Sequence, residues 1–309
     1  MTLDLIIPII ITLVGASTPI LLAGLGELVA EKSGVLNLGV EGMMLIGAVI
    51  TVAVVLLTGN HWLAIICAAG ASAAAALIFG FLTLSLSANQ VATGLALTIF
   101  GTGFSALFGQ PYTGKAVPLF RSPFPPELAA DPIWRVIFGY SPLVYFSLIM
   151  VVAVWWFLQR TRAGLILRAV GENDLSAHSI GYSVIGVRYL AVAFGGAMAG
   201  IAGSCFPLIL TPQWVERLTT GRGWIALALV VFAAWRPFRL LAGAYLFGLV
   251  MTLEVYAKAA GGGFRVLPSE LWAALPYLAT ILVLVLISMR RGGSSSAPAC
   301  LGKPFLPTG

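Results

Sequence analysis

The chain has 309 residues, of which 60% are hydrophobic and 9% charged, with a formal net charge of +6. A soluble domain carries about a quarter charged residues, so this composition excludes a soluble globular protein and describes an integral membrane protein. The basic residues are scattered between apolar runs and form no stripe with interleaved aromatics. That excludes nucleic acid as a partner and makes cytoplasmic-loop bias the source of the charge.

A membrane helix needs about 20 mostly apolar residues. On that criterion spans are predicted at 3–25, 40–58, 62–86, 91–109, 138–158, 190–210, 220–236, 238–257 and 272–289. The first lacks a basic leader and a small-residue cleavage site, so it reads as a retained helix and not a removable signal. Span 220–236 is the weakest, because its apolar core from Trp224 to Trp235 is short, and it is expected to be broken or re-entrant. The fold class expected is all-α, a polytopic membrane protein of about 8–10 transmembrane helices. One membrane domain covers 1–291. The tail 292–309 is small, Pro-rich and aperiodic, and is expected to be disordered and cytoplasmic.

Charge placement predicts orientation. Arg160, Arg162, Arg168 and Arg188 mark one polar interruption as a cytoplasmic loop, and Arg290 and Arg291 put the C-terminus on the same side. Arg236 and Arg239 fit the cytoplasm if 220–236 crosses. The Pro-rich segment 110–137 then lies outside, as does the N-terminus.

Several patterns resemble chemistry without supporting it. Gly109 to Ala116 (GQPYTGKA) matches most of a P-loop, but Ala116 stands where Ser or Thr would hold magnesium and Pro111 removes a backbone donor. Gly101-x-Gly103-x-x-Ala106 lies inside an apolar helix with no preceding strand, which is helix packing. Rows of small residues, Gly196, Gly200 and Ser204 beside Gly195, Ala199 and Gly203, predict close helix approach. Cys67, Cys205 and Cys300 have no metal-like spacing and read as small buried hydrophobes. His61 and His178 belong to no metal pattern, and no nucleophile elbow is present. No metal, cofactor or catalytic constellation is expected.

Polar groups at or near membrane depth remain. Asn37, Glu41, Asn89, Gln90, Thr93 and Glu254 are candidates for a translocation pathway or gate, because buried amides and carboxylates in a bilayer face a cavity or a partner helix. Glu27, Glu31 and Lys32 read as a cytoplasmic turn after the first span. In the polar interruption, Asn173 or Asp174 can cap a helix and Gly181 can end it after about two turns. A short capped helix in such a loop suits docking to a soluble partner.

The stretches 33–48 (SGVLNLGVEGMMLIGA), 89–103 (NQVATGLALTIFGTG), 167–204 and 221–248 resemble bacterial ABC-importer permeases. The family is that of branched-chain amino-acid and ribose-type permeases, and the likeness is strongest to its nucleoside-type members. The resemblance implies that 164–189 is the coupling loop, within the interruption 160–189. Arg168, Gly171, Glu172, Asn173, Ala177 and Gly181 would then couple it to a cytoplasmic ABC ATPase that binds ATP and magnesium. It also implies a second homologous permease or a self-dimer, and an extracytoplasmic substrate-binding protein. The setting would be the bacterial inner membrane and the cargo a nucleoside or simple sugar. The alternative is an ion-coupled secondary transporter or channel, which would need mid-span carboxylates, with Glu41 and Glu254 as candidates.

Overall fold

The computed structural model describes residues 3–129, 131–260, 278 and 297–305. In chain order the helices are α1 (Leu3–Lys32), α2 (Val40–Thr58), α3 (His61–Gly80), α4 (Gln90–Gly109), α5 (Pro132–Phe138), α6 (Pro142–Arg160), α7 (Arg162–Glu172), α8 (Asp174–Ser179), α9 (Val184–Cys205), α10 (Arg222–Phe232) and α11 (Pro237–Ala260). Seven helices among the described residues are long and apolar enough to cross a membrane, namely α1, α2, α3, α4, α6, α9 and α11. The chain is an all-α polytopic membrane protein, as its composition requires. The predicted span 272–289 lies outside the described residues.

Helix α9 sits at the centre and packs on α1, α2 and α3. Lipid supplies no hydrophobic drive between helices, so contact depends on backbones approaching closely. The small-residue rows do this on three sides. Gly195 faces the Gly26 carbonyl of α1, Gly196 and Gly200 face Ser72 and Ala68 of α3, and Gly203 lies on the Met44 carbonyl of α2. Ser72 Oγ donates to the Met43 carbonyl at 2.8 Å, binding α3 to α2. Gly101 of the dinucleotide-like pattern likewise lies against Gly42. The P-loop-like stretch forms a short turn at Gln110–Tyr112 and pairs loosely with the segment after α9, Thr113 with Trp214 and Ala116 with Gln213.

Two expectations about charged side chains are corrected. Helix α1 runs on to Lys32, so Glu27 and Glu31 are buried helical residues and not part of a turn. Their carboxylates find partners there. Glu27 Oε1 accepts from the Asn37 backbone N–H at 3.1 Å, and Glu31 Oε2 accepts from Trp235 Nε1 at 2.6 Å. Arg188 is the second correction. It is a fully buried residue of α9, with no exposed side-chain surface, and does not belong to a hydrated loop. Three acceptors satisfy its guanidinium, which is what permits that burial.

Candidate functional site

Two places gather the polar residues of the chain. The first is the corner formed by α7 and α8. Thr161 caps α7, its Oγ1 accepting from the Gly164 N–H at 3.0 Å. Asn173 then ends α7 and starts α8, its Oδ1 accepting from the Ser176 N–H at 2.9 Å. Gly181 closes the turn in the left-handed region, at φ +93°, where its N–H reaches the His178 carbonyl at 2.9 Å. The cap and the stop read from the sequence are therefore present, but the loop holds two short helices with Asn173 at the bend.

This corner is anchored from below. Val170, Ala177 and Val184 form a small buried cluster, and Gly171 presses on the Lys32 carbonyl at the end of α1, where a Cβ would overlap it. Arg188 ties three chain segments together. Its Nη2 donates to Asp174 Oδ2 at 3.1 Å, its Nε to the Ser33 carbonyl at 3.2 Å and its Nη1 to the Lys303 carbonyl at 3.3 Å. Glu172 and Asn173 are exposed, and Arg168 is half-buried with its buried Nε unpaired. Charges of Arg168, Glu172 and Arg236 surround Lys32. The outward side of the corner carries Leu165, Leu175, Ile180 and Tyr182, all exposed, Ile180 at 72%.

The second place is a junction between α1, α2, α4 and α10. After α1 the chain runs as an irregular segment, 33–39, against the first half of α4. Thr98 Oγ1 donates to the Leu38 carbonyl at 2.9 Å. Thr98 stands eight residues beyond the start of α4 at Gln90, or about 12 Å along a helix rising 1.5 Å per residue. Irregular backbone at that depth must be satisfied by protein. Gln90 Oε1 accepts from the Leu36 N–H at 2.8 Å, Glu27 takes the Asn37 N–H, and Asn37 Oδ1 accepts from the Gly39 N–H at 2.9 Å. Asn89 caps α4 through the Ala92 N–H at 3.0 Å, while Thr93 is half-buried one turn further on.

Glu41, in the first turn of α2, meets the start of α10 at this level. Its Oε1 accepts from the Gly221 N–H at 2.8 Å and its Oε2 from the Gly223 N–H at 2.6 Å; Thr219 Oγ1 also donates to Oε1. Gly223 has no room for a side chain, since a Cβ would lie 2.7 Å from the Glu41 Cα. Helix α10 is 11 residues long, about 16 Å or half a membrane. The weak span is therefore broken: an irregular stretch, 211–221, leads to a half-length helix that ends where Trp235 meets Glu31. Beside this junction Gly221, Trp224, Ala228 and Phe247 line a cavity of about 340 Å³. Glu254 lies on α11 and is half-buried.

Sequence reasoning missed Thr219, Gly221 and Gly223 as partners of Glu41, and Arg188 as the organiser of the corner. No local signal marks these pairings, because the partners of Glu41 lie nearly 180 residues away. For Arg188, a position at the edge of an apolar run looks the same whether it faces water or a buried carboxylate.

Residues 9–284 match the family described as branched-chain amino acid transport system / permease component. The chain is 40% identical over 297 residues to the putative glucose ABC transporter permease protein TsgC13 of Haloferax volcanii, covering 88% of each. It is 31% identical to the guanosine ABC transporter permease protein NupQ of Bacillus subtilis, covering 98% of this chain and 97% of that one. A further B. subtilis protein, the guanosine ABC transporter permease protein NupP, is 29% identical over 205 residues, covering 60% of this chain and 56% of its own.

Proposed function

Because this chain belongs to the family of permease components of branched-chain amino acid transport systems, we propose that it is the membrane subunit of an ATP-driven importer that carries a neutral nucleoside or sugar. ATP and magnesium are bound by separate cytoplasmic ATPase subunits. An extracytoplasmic binding protein delivers the cargo, and the setting is the inner membrane with the C-terminus in the cytoplasm. The similarity to both NupQ and NupP, two guanosine permeases of one organism, supports pairing with a second homologous permease.

The observation that carries the coupling assignment is the α7–α8 corner. Two capped short helices present an apolar outer side and are bound through Asp174 and Gly171 to α9 and α1. A rigid element attached to two membrane helices can pass on a rigid-body displacement, whereas a flexible loop cannot.

Substrate class follows from Glu41. A half-helix N-terminus at mid-depth attracts anionic groups. Here the Glu41 carboxylate already occupies the N-terminus of α10, so that end is closed to a substrate carboxylate. This favours an uncharged solute over an amino acid. It also disfavours the ion-coupled alternative, since Glu41 is engaged by three donors.

The test is reconstitution with the ATPase and the second permease in vesicles. Uptake of labelled guanosine or glucose should require ATP, and leucine should not compete. Uptake that survives ATP depletion while an ion gradient is intact would overturn the importer reading. Replacing 173–180 by a Gly/Ser linker should release the ATPase without preventing membrane insertion, and retained uptake would remove the coupling assignment.

A further inference from the structure

The segment Ala297–Phe305 lies in the tail that composition predicts to be disordered, yet it is folded against the α7–α8 corner. The Cys300 N–H donates to the Gly171 carbonyl at 2.9 Å and the Gly302 N–H to the Gly34 carbonyl at 3.1 Å. The Lys303 carbonyl accepts from Arg188 Nη1 at 3.3 Å. Pro298 and Cys300 are buried, Leu301 packs on the main core, and the Phe305 ring lies 5.4 Å from that of His178 while covering the cluster of Val170, Ala177 and Val184. Gly302 adopts φ +73°, a conformation that disfavours side chains. Gly302 and Pro304 also line a cleft of about 230 Å³ with residues 87–91, at the connection between α3 and α4.

These contacts tie the short helices α7 and α8, which otherwise touch α1 and α9 at few places, to that tightly packed pair. Helix α8 has only six residues, and a helix that short does not hold its own position. The tail segment touches the end of α1, the end of α7, α8 through His178, and α9 through Arg188. We propose that residues 297–305 are a strap that holds the α7–α8 corner in register with α1 and α9, so that displacement of the corner by the ATPase moves the membrane helices instead of rotating the corner alone. The proposal rests on the coupling role argued above. Its residues position the corner, and they need not touch substrate or ATP.

Two variants test it in the assembled transporter. Truncation after Ser296 removes the strap. Gly302→Val keeps its length and composition but strains the left-handed turn, which should favour the undocked strap roughly tenfold. Cys300 reports docking directly, because its thiol is buried. Maleimide labelling, read by peptide mass, should be slow at Cys300 in the wild type and roughly tenfold faster in Gly302→Val. In both variants the ATPase should still co-purify, while solute imported per ATP hydrolysed falls several-fold on truncation and less in Gly302→Val. Wild-type import per ATP in the truncated protein would overturn the proposal. So would rapid labelling of Cys300 in the wild type, or loss of ATPase binding on truncation, which would make the segment an assembly element. The 173–180 linker separates the two readings, since retained ATPase binding there refutes the coupling assignment itself.

Discussion

Arg188 of α9 holds Asp174, the first residue of α8, through a 3.1 Å ion pair in which the arginine has no exposed surface. The pair joins a membrane helix to the element proposed to meet the ATPase. A buried guanidinium is tolerated only while its partners stay in place. Movement of α8 relative to α9 is therefore opposed at this point, and the two should shift together.

Removing the acid should show this. Asp174→Ala leaves Arg188 buried with one donor group unpaired, a loss of about 3 kcal/mol for a pair of this kind. We expect a lowered Tm in detergent and uptake reduced more than ATP hydrolysis. Asp174→Glu should restore most of both. Equal Tm for wild type and Asp174→Ala would contradict the burial argument.

Glu41 offers a second test. Glu41→Ala would leave the N–H groups of Gly221 and Gly223 without their acceptor, at about 1–3 kcal/mol for the buried Gly223 and less for the half-buried Gly221. Uptake should be lost and the region around α10 should exchange amide hydrogens faster. Glu41→Gln keeps one acceptor oxygen and should fall between. If Glu41 served a coupling ion instead, Gln would abolish transport while leaving α10 as protected as in the wild type.

Two glycines on α4 should respond in opposite ways to the same change. Gly101→Ala would drive a methyl into Gly42 of α2, whereas the Cβ of Gly103→Ala would meet nothing within 4 Å. The first should reduce folded protein in the membrane. The second should be neutral or stabilise by up to about 1 kcal/mol, the helix preference of Ala over Gly. Fluorescence-detected size-exclusion chromatography of the two variants decides it.

The end of α8 depends on backbone conformation and not on space. Gly181 has φ +93° and nothing near its Cβ position. Gly181→Val should strain the turn by about 1–2 kcal/mol, and Gly181→Asn, which tolerates that region better, should stay near wild type in uptake. Matching activities for Val and Asn would argue that the turn is not needed in its folded form.

What could be read in advance follows the range of the forces involved. The spans were legible because each must present about 20 apolar residues to lipid, whatever its neighbours do. The Asn173 cap and the Gly181 stop were legible because both act within three residues. Even the break in span 220–236 left a trace, as an apolar core too short to cross. By contrast Glu27 and Glu31 look like the polar end of a span. They are buried because the Asn37 backbone and Trp235 come to them from elsewhere in the chain.

By itself, then, the sequence determined a multi-pass helical membrane protein, its small-residue packing rows and a capped polar corner, because hydropathy, helix period and capping are local properties. Only the tertiary structure decided that Glu41 closes the N-terminus of α10, that Arg188 is buried, and that residues 297–305 bind the corner. Each of these is a hydrogen bond between distant segments, and a charged or amide side chain carries no mark of which remote backbone will satisfy it.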